Sequence, residues 1–422
     1  MNIPEKIKSL KSALAARSQV RKQLRGPAAL SYAIADSIAL LDRAAWTALV
    51  KDSGFFLSAE YLQSLEKVLP LNLSPHYAMV YSAGEDRQPV AAVYMQLADV
   101  SVAQLRPEKP EPSDGDRAGM LDQLAQGTRQ RILTCGNLLT FGQHGIAFAE
   151  GVDRKLAWHG VAEVLYRVRQ AEKLAGKTHF VMIKDLHAPY LEHAAHLENL
   201  SYRYVETEPN MVLALHADWK NHDDYLGSLA SKYRGNVRNG IFKPMDEGAC
   251  TLEQVEDMAT VQDQIHALYK EVQVNASVRL FELVPEYFTM LAKTAGERFR
   301  CSVIRQNGKM LGFLMSVADG QTAVAYHIGF DRAAAAELPI YLRLLHAGIA
   351  DAISMGCQQI SYGRTALEPK AALGAKPQPF GILVRHRQPV LNKMMKRLLT
   401  GIEHEEAPER SPFKKAASAK AA

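Results

Sequence analysis

Apolar and polar residues alternate in short runs along most of this chain, and the runs come twice in the same order. Residues 77–81 and 90–97 read as two strands joined by a turn at 84–86. The stretch RCSVIRQNGKMLGFLMSVADG repeats that order, with Asn307-Gly308 as a hairpin turn whose central residues both need φ > 0. Further on, GIAFAEG and AVAYHIGF each predict a short apolar strand. Each is followed by an Asp-Arg turn (Asp153-Arg154, Asp331-Arg332) and an apolar-periodic run that predicts a helix of about 18 residues. The helices should end near Gly176 and Gly356, where a left-handed residue closes them, and apolar strands follow at 179–183 and 359–362. Strand–helix–strand units of this kind predict right-handed crossovers in a parallel or mixed sheet.

The hairpin turns lie farther apart than the Asp-Arg turns, so the first copy carries an insertion, placed near 99–144 and including the polar stretch RPEKPEPSDGDRAG. The expected fold class is α/β with mixed sheets, one unit occurring twice. The expected divisions are a leader at 1–30, a first domain at 31–210, a second at 211–400 and a disordered tail at 401–422. In the leader, Ile3, Ile7, Leu10 and Leu14 fall on one helical stripe among seven Lys or Arg residues, a pattern suited to an anionic membrane surface. The tail is charged, contains Pro and turns Ala-rich.

Composition narrows the classes. A chain of 422 residues with 47% apolar and 23% charged residues buries a sizeable core, which excludes disorder, collagen and coiled coil. No apolar run approaches the ~18 residues that span a bilayer. Four isolated cysteines, with no Cys-x-x-Cys pair, suggest neither a zinc site nor a disulfide framework and fit a reducing, cytoplasmic setting. The net charge of +5 is modest, so local basic clusters matter more than the sum.

The order hairpin, strand, helix, strand resembles the core of the Gcn5-related N-acyltransferases. In that family a helix N-terminus receives the pyrophosphate of coenzyme A on a glycine-containing loop, because unpaired helical N–H groups bind phosphate. His159-Gly160 in AWHGVA keeps part of that loop pattern, and the second copy's AAAAELPIY keeps neither glycine. The run Tyr-Leu-x-Ser-Leu-x-x-Lys-Tyr-Arg-x-x-Val-Arg, ending at Arg238, is similar to the junction of the Fem-like or type 6 acyltransferases, which have two such domains in tandem. The resemblance implies an acyltransferase. It would move an acyl group from acyl-CoA, as co-substrate rather than resident cofactor, to a primary amine of a lipid or cell-envelope precursor, as bacterial lipid N-acyltransferases do. It leaves open a Fem-type peptidyltransferase using aminoacyl-tRNA, the one case in which nucleic acid would be a partner. A non-catalytic binding protein of the same fold is also left open.

Candidate donor- or substrate-binding residues are Lys232, Tyr233, Arg234 and Arg238, with Arg234 and Arg238 on one helical face at i, i+4, and His159 and Gly160. The loop after the last crossover strand adds Gly363, Arg364 and Lys370 as anion ligands. Acyl transfer needs a deprotonated amine, a polarised carbonyl and a protonated leaving thiolate. Candidates for that chemistry are His144 in a Gly-rich stretch, Tyr326 and His327 on a strand where alternation sends them to opposite faces, and Glu282 as a partly buried base. Cys135 lacks a Cys/His motif, and His187, His193 and His196 lack an acidic partner, so neither a thiol nucleophile nor a metal site is expected.

Overall fold

The structure is a computed structural model. It describes residues 26–101, 129–274, 279–400, 408 and 410–414, together with 12, 15, 16, 18, 19 and 22. The leader stripe and the stretch RPEKPEPSDGDRAG lie outside the described residues. The first copy contributes β1 (Leu30–Ala35), α1 (Arg43–Val50), α2 (Ala59–Leu65), β2 (Leu73–Ser82), β3 (Pro89–Ser101), β4 (Arg129–Cys135) and β5 (Ile146–Phe148). It continues through α3 (Arg154–Ala171), β6 (Thr178–Leu186), α4 (Ala188–Ala194) and β7 (Arg203–Ala214). A helical link follows as α5 (His222–Ser228), α6 (Ser231–Val237), a π-turn at Arg238–Phe242 and α7 (Lys243–Glu247). The second copy is β8 (Cys250–Gln254), α8 (Gln262–Gln273), α9 (Glu286–Ala295), β9 (Phe299–Gln306), β10 (Lys309–Asp319) and β11 (Thr322–Phe330). It closes with α10 (Arg332–Glu337), α11 (Ile340–Ser354), β12 (Gln359–Ser361), α12 (Leu367–Ala372), β13 (Lys376–His386) and α13 (Pro389–Thr400).

All the strands join one mixed sheet in the order β1-β2-β3-β4-β6-β13-β7-β12-β11-β10-β9-β8, with β5 beside β3. The order is a palindrome. Exchanging β1 for β8, β2 for β9, β3 for β10, β4 for β11, β6 for β12 and β7 for β13 reverses it. Two units of the same topology therefore stand in tandem, and each lends its last strand to the other: β13 pairs with β6 and β7 with β12, both antiparallel. The shared centre, β7 against β13, is also antiparallel, with Met211 opposite Pro377 and Tyr204 opposite Leu383.

One face of the sheet carries α3 over the first copy and α11 over the second. On the other, α1, α2, α8 and α9 from both copies close on a core of Trp46, Phe56, Tyr61, Tyr287, Phe288 and Phe313. Each such ring, removed from water, contributes about 1.5–3 kcal/mol, which is why the copies are fused and not merely tethered.

Asn307 and Gly308 take φ of 51° and 80°, as the hairpin requires. Three expectations are corrected. The insertion is not one block, because β4 lies inside 99–144 and is the core partner of β6; the extra residues divide between 102–128, outside the described part, and an excursion at 136–145. β4 and β5 both pair with β3, so they are one strand interrupted by that excursion. The second long helix is broken into α10 and α11 at Leu338-Pro339, since Pro offers no N–H and disfavours helix in the residue before it. Finally, part of the expected disordered tail is packed: Ala230 N donates to Pro412 O at 2.8 Å, and the Phe413 ring lies against Trp219 and Tyr225.

Candidate active site

β11 and β12 pair in parallel only from Thr322 opposite Gln359 to Val324 opposite Ser361. Beyond that point they diverge, so the side of β11 away from β10, from 325 to 330, has no strand neighbour among the described residues and presents backbone amide and carbonyl groups to the gap. The gap is a cavity of about 480 Å³ lined by Phe141, Ala325, Tyr326, Tyr341, Arg364 and Lys370 among others. Helix α11 forms one wall. Its N-terminus has Pro339 at the cap position, no side-chain cap and no acid in the first turn, so its amide dipoles remain available to an anion.

The first copy has the same wedge, between β5 and β6, but it is filled. Trp158 is 1% exposed, and its ring lies 5.4 Å from Phe148 and 6.4 Å from Tyr190. The residual space is about 320 Å³. The N-terminus of α3 is already capped by Asp153, whose carboxylate accepts from Lys155 N at 2.9 Å.

A β-bulge decides the second wedge. Ser316 pairs with Ala325 and Met315 with His327, leaving Tyr326 as the extra residue. The expected alternation of Tyr326 and His327 is thereby cancelled: the two rings lie 4.1 Å apart and both meet Tyr287. The hydroxyls of Tyr287 and Tyr326 are 2.6 Å apart, and burial holds both phenols well above their ordinary pKa, so they stay protonated. Burial pushes His327 down to about 3, which leaves it neutral, and its Nε2 has no partner among the described residues.

The other side chains expected at the site divide sharply. Gly363 (φ 70°) lets its backbone pass against the Phe141 ring, where a Cβ would come within 3.1 Å. Lys370 is not an anion ligand: its ammonium donates to the carbonyls of Gly363, Arg364 and Thr365 at 3.4, 2.6 and 2.8 Å. It thus holds a loop in which Thr365 and Ala366 also take positive φ, and burial lowers its pKa to about 8. Arg364 lines the wedge, but its charge is met by Asp185 of the first copy, which also contacts Lys184. Arg234 donates to the carbonyls of Gly227 and Leu229, at 3.5 and 3.4 Å, and so caps α5, while Tyr233 packs into the apolar cluster beneath. Lys232 and Arg238 are exposed, Arg238 opening the π-turn that rests against α11.

His159 and Gly160 are displaced from the expected role. They lie in the second turn of α3, where Gly160 packs on Leu30 and Val80, and His159 lines a separate cavity of about 600 Å³. Glu282 is exposed and pairs with Lys270 at 3.2 Å, which removes the buried-base reading. His144 lies on the 136–145 excursion and lines a cavity at the seam between the copies. Cys135 is buried, and burial pushes its thiol pKa up, away from thiolate chemistry. Among the described residues no group of His, Cys, Asp or Glu is placed to hold a metal, and no helix is long and apolar enough to cross a membrane. Sequence reasoning missed Tyr287, Tyr341 and Asp319, which carry no local motif; Pro339 was the one visible signal of the broken helix.

A strand pair that splays over the open end of a crossover helix defines the Gcn5-related acyltransferase class. Residues 231–371 match the family model described as "Acetyltransferase (GNAT) domain", so the chain carries such a domain and is an acyltransferase. No curated protein matches it. Among solved structures it is similar to FemX, at 11% identity and TM-score 0.48, covering 84% of this chain and 98% of that one. A tandem GNAT protein from the clavulanic acid biosynthesis pathway has 11% identity and TM-score 0.48, covering 85% and 99%. L-PGS from Bacillus licheniformis has 12% identity and TM-score 0.44, covering 85% and 97%. At these scores the likenesses carry no weight for function.

Proposed function

We propose that the protein is an N-acyltransferase that takes its acyl group from a coenzyme A thioester held in the wedge of the second copy. The observation that carries this reading is the contrast between the copies, an open wedge with an uncapped helix in the second and an aromatic-filled wedge with a capped helix in the first. The free edge of β11 suits an extended, amide-bearing arm, which adds as a partial strand while its phosphates meet the N-terminus of α11. The amine nitrogen attacks the thioester carbonyl, the C–N bond forms and the C–S bond breaks. The ammonium proton passes to a base, and the departing thiolate takes a proton from a phenol. Tyr326 and Tyr341 line the cavity as phenols held protonated by burial, Tyr341 with a pKa pushed up to about 12.

The acceptor we assign is a primary amine presented at the cytoplasmic face of a membrane. Supporting this, α13 leaves Val390 and Met394 exposed at 70% and 47%, next to exposed Lys393, a face suited to an anionic interface. Purified protein should release free thiol from an acyl-CoA only when an amine is present. A broad screen of donors and amines without turnover would sink the reading.

A further inference from the structure

A cavity of about 290 Å³ opens at the seam, lined by His144 and His187 from the first copy, Asp319 and Gln378 from the second, and Asp52 at its rim. His144 is 6% exposed. Its Nε2 lies 3.1 Å from the carbonyl oxygen of Phe141, and a carbonyl can only accept, so Nε2 carries the hydrogen and Nδ1 the lone pair. Gly142 (φ 102°) makes that contact possible, since a Cβ there would come within 2.9 Å of Nε2. Burial lowers the pKa of this histidine and keeps the ring neutral, against the opposing pull of Asp319.

Among the described residues Nδ1 has no hydrogen-bond partner, and it faces Asp319 Oδ2 at 3.7 Å. Asp319 is fixed from behind: its Oδ1 accepts from the backbone N–H groups of Phe55 and Phe56, and Gly54 (φ 85°) leaves room where a Cβ would strike the carboxylate. Two acceptors, one charged, therefore face each other across a gap too wide for a direct bond, on residues that line the cavity. Only a group with at least two N–H or O–H donors satisfies both, and the carboxylate favours a cation. Asp52, with its side chain 86% exposed, lies at the mouth, its carboxylate 3.9 Å from the Lys51 ammonium.

We infer that the seam pocket binds a protonated primary amine, one N–H donating to Asp319 Oδ2 and another to His144 Nδ1. The Phe56 ring separates this pocket from the wedge, touching His144 at 5.1 Å and Tyr326 at 4.9 Å. The binding does not depend on the reading above and is measured without turnover.

The test titrates protein carrying ¹⁵N-histidine with butylamine and ethanolamine, with 1-butanol as the uncharged control, and follows the His144 Nδ1 resonance. The amines should move it saturably while butanol leaves it in place. Asp319→Asn keeps an oxygen for the Phe55 and Phe56 amides and loses the charge, so amine affinity should fall at least tenfold. Asp52→Asn, at the exposed rim, should weaken binding about two- to threefold and serves if the first variant does not fold. A resonance unmoved by amine, or moved equally by butanol, would mean that water alone bridges the two acceptors and would overturn the inference. So would unchanged amine affinity in a folded Asp319→Asn.

Discussion

Replacing Asp351 with Asn should alter how stability depends on pH. Asp351 projects from α11 into the sheet, 2% exposed, and accepts hydrogen bonds from Gln254 at 2.8 Å, Ser302 at 3.1 and 3.2 Å, and Ser316 at 3.1 Å. Burial outweighs these bonds and pushes its pKa up from 3.8 to about 6. A carboxyl whose folded pKa is raised binds its proton more tightly when folded. The contribution to stability is full below the unfolded pKa and is lost as pH rises from about 4 through 6. At about 1.4 kcal/mol per pKa unit, the loss is on the order of 3 kcal/mol. Asn keeps an acceptor and offers an N–H to a serine hydroxyl, and it does not titrate. Urea unfolding of both proteins from pH 4 to 7.5 isolates the effect, because every other group cancels in the difference. The native protein should lose about 2.5 kcal/mol relative to Asp351→Asn across that interval. Parallel curves would refute the assignment of a desolvated carboxyl with a raised pKa beneath the sheet.

Other outcomes follow from the wedge and its surroundings. Lys370→Met leaves three carbonyls without their ammonium, so unfolding free energy should fall by about 2 kcal/mol or more and KM for the acyl donor should rise about tenfold. Pro339→Ala should let α10 and α11 fuse, withdrawing the free helix end from the wedge; calorimetric affinity for coenzyme A should drop roughly tenfold while the protein stays folded. Introducing Glu at both Val390 and Met394 should cut co-sedimentation with phosphatidylglycerol vesicles at least fivefold, and undiminished retention would dissociate α13 from the membrane.

The duplication was legible because it rests on periodicity and turn chemistry. Asn307-Gly308 demands a tight hairpin wherever it falls between apolar runs, and Asp153 and Asp331 each cap the helix that follows a strand. The exchange of β7 and β13 was not legible, since a strand's apolar alternation says nothing about which neighbour it will meet. The site residues were harder still. Lys370 and Arg364 looked like ligands by charge, yet three nearby carbonyls and Asp185 from the other copy take up those charges. The bulge at Tyr326 reverses a side chain through one extra residue, which no pattern of period two reveals. Asp319 acquires its meaning only where Gly54 and His144 of the first copy reach it.

Hydrogen–deuterium exchange with a non-transferable acyl-CoA thioether tests most directly which copy holds the donor. Protection should appear at 325–330, in the first turns of α11 and at 363–366, with 146–148 and the start of α3 exchanging as before. Protection confined to the first copy, or absent from both, would contradict the account.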